Sequence, residues 1–237
     1  MPVRPVRRIV EYTFCWTAVL LLCLTGCNRQ SPPSTDAYWI WAGIEVPPEV
    51  QTAPLYFYQG LLSEDAQGPR FNRRGYYPYP TTSPELYLVF RLETLDPSPR
   101  FPEAIVRLCA EWEQKGNPVS GVQLDFDAPS AQLLRYSTFL QTFRERLPRR
   151  YRLSVTGLGD WLFSAEDDAL TQISAATDEV VFQLYQKRRP LPDQAKYLEK
   201  LRHLTFPFKL GQLDSTPDKI ALNDTPYYHG SIFFIQN

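Results

Sequence analysis

The 237 residues carry 25 Lys and Arg against 26 Asp and Glu, a formal net charge of −1, so the chain lacks the cationic excess that a nucleic-acid partner demands, and no nucleic acid is expected. Four cysteines and two histidines, His203 and His229, make no metal-ligand spacing; neither a metal nor a cofactor is expected. With 43% hydrophobic residues the chain has enough apolar surface for one sizeable core without covalent staples.

At the N-terminus Arg4, Arg7 and Arg8 precede an apolar run over residues 14–24, and Leu24-Thr25-Gly26-Cys27 follows. A basic flank, a short apolar run and small residues before a cysteine read as an export signal, too short for a good membrane span. The final four residues resemble a bacterial lipobox, which implies cleavage before Cys27 and lipidation of that cysteine. On this reading residues 1–26 are a lipoprotein signal peptide, 27–36 the lipidated cysteine and a flexible, proline-bearing tether, and 37–237 a single domain. The resemblance implies an exported bacterial lipoprotein, anchored to a membrane of the cell envelope through Cys27. Asn28 in the next position implies the outer membrane, facing the periplasm. Loss of the leader removes three arginines against Glu11, which makes the mature chain more acidic, and leaves Cys109 as the one free thiol.

Along the mature chain, aromatic and branched residues mark a strand at 38–44, ended by Pro47-Pro48, and a second at 55–61. Residues 63–84 show no helical period but hold Phe71-Asn72-Arg73-Arg74-Gly75-Tyr76-Tyr77-Pro78-Tyr79-Pro80. Tyrosine and arginine suit stacking on sugar faces or gripping an anion; a proline-stiffened loop packed on the domain's flank accounts for them equally well. A third strand at 85–95 places Tyr87, Val89, Arg91 and Glu93 on one face. A helix over 101–115 carries the apolar stripe Ile105, Leu108, Cys109 and Trp112, which makes Cys109 a core residue rather than a nucleophile. Further helices are predicted at 130–147, 164–176 and 193–204, and strands at 152–157, 179–186, 208–214 and 230–236. Eight strands with helices between the middle ones predict an α/β fold of (β/α)8 TIM-like barrel type, some helices reduced or missing. An open α/β sheet with fewer strands is the alternative.

The strand at 121–127, Gly-Val-Gln-Leu-Asp-Phe-Asp, alternates with a period of two, so Gln123, Asp125 and Asp127 share one face and Val122, Leu124 and Phe126 the other. Helices on either side predict that its outer face is covered, which turns the acidic face toward the interior or mouth of the barrel. Two carboxylates so close perturb one another's protonation and suit an acid–base site. In a barrel, function gathers at the C-terminal strand ends, where Trp41, Gln59, Glu93, Asp160, Trp161, Tyr185, Gln186, Gln212, Asp214 and Gln236 fall. Carboxylates, amides and aromatics are the complement of a carbohydrate, whose hydroxyls take hydrogen bonds and whose ring faces stack on aromatic rings.

The run Ser120-Gly121-Val122-Gln123-Leu124-Asp125-Phe126-Asp127 resembles the strand-four signature of family 18 glycoside hydrolases, Asp-Gly-x-Asp-x-Asp-x-Glu. Together with the lipobox, Trp39-Ile40-Trp41 and Gln123-Leu124-Asp125-Phe126-Asp127, it resembles more closely a bacterial family known as domain of unknown function 3142. The family 18 resemblance implies that Asp125 supports the catalytic acid, that Asp127 stands in the place of the catalytic glutamate, and that Tyr185, in Phe182-Gln183-Leu184-Tyr185-Gln186, contacts the reacting group. Ser120, Gln123 and Gln186 replace aspartates of those motifs, and Asp127 is one methylene shorter than glutamate. Catalytic candidates are therefore Asp127, Asp125 and Tyr185. Trp41, Glu93, Gln123, Trp161, Gln183 and Asp214 are candidates for substrate binding. Two functions stay open: a glycoside hydrolase in which Asp127, kept protonated by Asp125 and by desolvation, donates the proton, and a non-catalytic lipoprotein that binds a glycan or another envelope component.

Overall fold

The computed structural model describes Met1 and residues 36–164, 167–215 and 219–235. The leader at 1–26 and the tether at 27–36, Cys27 included, lie outside the described residues but for Met1 and Asp36, and Gln236 lies outside them too. No helix among the described residues is long and apolar enough to cross a membrane.

Eight parallel strands close on themselves. In order around the ring they are β1 (Ala37–Ile40), β2 (Leu55–Asp65), β4 (Leu86–Leu92), β5 (Val119–Asp125), β6 (Arg152–Leu158), β7 (Glu179–Gln183), β10 (Phe208–Leu213) and β11 (Tyr228–Phe234). Closure runs through β1, four residues long, which pairs with β2 through Trp39 and Tyr56 and with β11 through Trp39 and Phe234. The closed ring excludes the open sheet. β1 is shorter than the expected 38–44 because the chain turns away after Ile40, its amide groups reappearing in a turn from Trp41 to Ile44.

Alternation along each strand divides the apolar residues in two. Outward side chains such as Val122, Leu124, Leu88, Phe90, Val155 and Phe182 pack under the helices, and inward ones such as Trp39, Tyr56, Tyr87, Val89, Val181 and Ile232 fill the barrel. Large rings fit inside because small residues face them: a Cβ at Gly121 would lie 2.5 Å from the Tyr87 ring, and one at Gly211 would lie 2.8 Å from Trp39. The outer layer is built by α1 (Phe101–Glu113), α2 (Leu133–Arg146), α3 (Trp161–Ser164), α4 (Asp167–Ala176) and α5 (Gln194–Arg202), all between β4 and β10. Cys109 is fully buried in α1, where burial pushes its thiol up to about 12, so it stays protonated and inert.

On the other flank no α-helix follows β1 or β2, only a single 3-10 turn at Pro48–Val50 between them. The segment from 63 onward is a hairpin rather than a free loop: β3 (Gly68–Arg73) pairs antiparallel with the far half of β2. Phe71 lies against Phe90 and Phe101, and Tyr79 against Phe57 and Trp112, so this segment covers the barrel where a helix is missing. Arg73 pairs with Glu111 on α1 and lies over the ring of exposed Tyr77. The packing account of this tyrosine-rich stretch therefore holds, and its residues do not converge on a pocket with the acidic strand. After β7 a short two-stranded ribbon, β8 (Tyr185–Gln186) and β9 (Arg189–Pro190), rises from the barrel rim.

Candidate active site

The C-terminal ends of β1, β4, β5, β6, β7 and β11 surround a cleft of about 410 Å³. Asp125, the last residue of β5, stands beside Arg91 of β4 as its cross-strand neighbour. Arg91 Nη1 donates to Asp125 Oδ2 at 2.8 Å, Arg91 Nη2 donates to Asp127 Oδ2, and Thr156 Oγ1 donates to Asp125 Oδ1 at 2.8 Å. One guanidinium thus bridges the two carboxylates, and a hydroxyl from β6 fixes the inner one. Such a fork holds planar groups in one orientation better than a lysine could.

The two carboxylates have different surroundings. Asp125 is 4% exposed; burial raises its pKa, and Arg91 and Thr156 oppose that rise without cancelling it. Asp127 lies past the end of the strand, where the chain turns with Ala128 N donating to Phe126 O at 2.7 Å, and its side chain is 47% exposed. The desolvation expected to keep Asp127 protonated is therefore absent, because the strand ends two residues before it and leaves the carboxylate in solvent beside a cation. Burial opposes the charge on Arg91, but Asp125 and Asp127 outweigh it and raise its pKa, so it remains a fixed cation.

The rest of the cleft is aromatic and amide. Trp41 stacks on Tyr58, ring centroids 4.3 Å apart, and Tyr185 stacks on Phe234 at 5.9 Å, so two rings stand on the wall that β1 and β11 share with β8. Burial, then the charges of Asp125 and Asp127, raise the Tyr185 phenol far above its ordinary value and keep it a hydrogen-bond donor. Gln123 lies below, fully buried, accepting from Trp39 Nε1 at 2.5 Å and donating to Ser154 Oγ at 3.0 Å. With both ends of its amide engaged, Gln123 shapes the floor of the cleft. Gln183, Gln186 and Lys187 line its edge on the β7 side.

Three expected binding residues lie elsewhere. Trp161 is 1% exposed, turned under α3, and its Nε1 donates to Ala128 O at 2.8 Å; it anchors the loop that carries Asp127 rather than facing a ligand. Glu93 and Asp214 are exposed just beyond β4 and β10 and do not line the cleft, because each strand ends before it and the chain turns outward. Gln59 sits at a bulge between Tyr58 and Gly60 that turns it outward to accept from Trp112 Nε1, and Gln212 is occupied by Ile220 and Ser231. Arg91, Thr156 and Phe234 carry parts of the site that residue-type reasoning passed over. Arg91 shares the inward face of Tyr87 and Val89, so its position was visible, but its pairing follows from strand register.

No curated protein matches this sequence. Among solved structures, the crystal structure of the Bacillus cereus spore cortex-lytic enzyme SleL is similar at 14% identity, covering 77% of this chain and 52% of that one with a TM-score of 0.49. The chitinase domain of the spore coat protein CotE from Clostridium difficile is similar at 13% identity, covering 75% and 63% with a TM-score of 0.43. The chain thus spans about half of the first and under two thirds of the second. A family model matches residues 86–223, from β4 and its Arg91 through β5 with Asp125 to the segment beyond β10, and the chain belongs to that family, described as Domain of unknown function (DUF3142).

Proposed function

We propose that the barrel mouth binds a glycan. The observation that carries this reading is the Asp125–Arg91–Asp127 bridge standing opposite the Trp41 and Tyr185 rings in one cleft. Sugar hydroxyls donate to carboxylate oxygens held in fixed positions, and the apolar faces of pyranose rings stack on indole and phenol rings. Asp127 is the carboxylate a ligand reaches first, Tyr185 and Gln183 supply donors, and Gln123 holds the floor.

A second reading, glycoside hydrolysis, is favoured by one observation: of two neighbouring carboxyls, the buried Asp125 has its pKa raised, and Asp127 faces solvent beside Arg91. Carboxyls in such unlike environments divide into acid and base. Asp125 then gives its proton to the glycosidic oxygen, and the Asp127 carboxylate faces the developing oxocarbenium centre or activates water. This reverses the roles that the family 18 resemblance assigns.

The anchoring of the protein belongs to the same proposal. Lipidation of Cys27 is supported by the basic flank, the apolar run and the lipobox-like Leu24-Thr25-Gly26-Cys27, and a periplasm-facing outer-membrane location by Asn28; such a location sets the mouth among envelope polysaccharides.

The test is incubation of the purified protein with a panel of envelope and extracellular polysaccharides, reading retention and, by mass spectrometry, new oligosaccharides. Binding predicts retention that Trp41→Ala reduces at least tenfold. Hydrolysis adds products that vanish in both Asp125→Asn and Asp127→Asn. Retention of no glycan overturns the proposal.

A further inference from the structure

The ribbon β8–β9 carries an arrangement that glycan stacking leaves unexplained. Its two-residue turn is Lys187-Arg188, with φ of +48° and +65°, so both residues occupy the left-handed region where Asn and Gly are the usual choices. Arg189 follows at once, which makes three consecutive cations at the tip. All three are exposed, and no carboxylate among the described residues lies within ion-pair distance of any of them. The acids at this end of the barrel are engaged or line neither of the two cavities: Arg91 holds Asp125 and Asp127, and Glu93, Asp160, Asp193 and Asp214 are exposed outside both the cleft and the second cavity described next.

The ribbon is not a loose flap. Its base is fixed by Leu184 N donating to Gly211 O at 2.9 Å, by Leu191 N donating to Leu184 O at 2.9 Å, and by Gln194 Nε2 donating to the same carbonyl at 3.2 Å. Tyr185, stacked on Phe234, ties its first residue to the cleft wall. A second cavity of about 490 Å³ opens along it, lined by Gln186, Lys187, Arg189 and the Pro190–Pro192 stretch. Gln186 and Lys187 line both cavities, so the two adjoin at these side chains. A backbone strained at two adjacent residues persists where it serves a site, and here it sets uncompensated cations along the path leading out of the cleft.

We infer that the ribbon forms a cationic subsite contiguous with the glycan cleft, in which Lys187 and Arg189 receive the anionic group, carboxylate or phosphate, of a neighbouring residue of an acidic glycan. The inference rests on the glycan reading and names its substrate class. Lys187 and Arg189, set around one cavity, give point-charge and forked recognition of such a group.

The experiment uses the whole protein and titration calorimetry with a set of oligouronates, the same oligouronates as neutral methyl esters, and vesicles containing phosphatidylglycerol. The variant is Lys187→Asn with Arg189→Gln; Asn suits the left-handed turn, so the ribbon keeps its shape, and circular dichroism verifies folding. Arg189→Glu serves as a second variant. The inference predicts that at least one oligouronate binds tenfold or more tightly than its ester, that the variants abolish this difference, and that Arg189→Glu, at a residue that lines the second cavity and not the first, leaves binding of the ester unchanged. Equal binding of acid and ester, or a preference that survives both variants, overturns the inference while leaving the glycan cleft in place. Binding to the vesicles alone, lost in the variants, overturns it in favour of a lipid surface. Absence of binding by every acid and every ester overturns the inference, and the glycan reading falls with it only where the polysaccharide panel is not retained either.

Discussion

Arg91 decides the electrostatics of the mouth. It lies in register with Asp125 across β4 and β5, and its second nitrogen reaches Asp127, so one cation compensates two carboxylates. Removing it leaves Asp125 buried with only Thr156 as a hydrogen-bond partner. Breaking a buried charge pair on one side costs about 3 kcal/mol, because the remaining charge stays out of water. Arg91→Leu is therefore expected to lower stability by about that amount at pH 8. The sign with pH follows from Asp125: its native pKa is already raised by burial, and it rises further without the guanidinium. The deficit is fully present above the variant's Asp125 pKa and fades on acidification as the carboxyl takes up a proton. Urea denaturation of both proteins between pH 4 and pH 8 measures it; a deficit that is the same at every pH would mean that Arg91 acts through packing alone.

At the scale of elements, the N-terminal ends of the strands close the barrel floor around a second buried pair. Glu179 of β7 accepts from Tyr56 of β2 at 2.9 Å and from Ser154 of β6 at 2.9 Å, and Lys209 Nζ of β10 lies 3.2 Å from its other oxygen. Burial alone would raise the Glu179 pKa, but Lys209 and these hydroxyls together hold it below the ordinary carboxylate range. Its contribution to stability is thus present above the unfolded value of 4.5 and is lost as pH falls through the lower native value. Lys209→Met strands the carboxylate and is expected to cost about 3–5 kcal/mol near neutral pH. Adding Glu179→Gln should restore most of that loss, since the pair is then replaced rather than broken. Thermal unfolding of the two single variants and the double variant checks this; additive losses would show that the two residues act separately.

For the whole molecule, the residue alternation that builds a barrel was legible wherever a strand is buried on both faces. Val122, Leu124 and Phe126 against Gln123 and Asp125 is one case, and Tyr87, Val89 and Arg91 is another. The flank without helices was not, because β3 has no hydrophobic period of its own and is held by long-range packing of Phe71 on Phe90 and Phe101. At the mouth, period two showed which side chains face inward along a strand but not where the strand ends. Asp125 was therefore read as it stands. Glu93 and Asp214 would face the mouth only if their strands continued, and Trp161 leaves the rim because a short helix turns it under. Arg91 and Thr156 meet Asp125 only through the registers of three strands brought together from distant parts of the sequence, which no local pattern encodes.

The central claim is that the Arg91-bridged carboxylates and the Trp41 and Tyr185 rings together hold a glycan. Its most direct test is a crystal structure of the protein with the best-retained oligosaccharide. The prediction is a sugar ring against Trp41 or Tyr185, with a hydroxyl within about 3.2 Å of Asp127 or Gln183. Density for the oligosaccharide elsewhere, such as the groove between α1 and α2 lined by Leu95, Phe139 and Phe143, with the mouth empty, would contradict it.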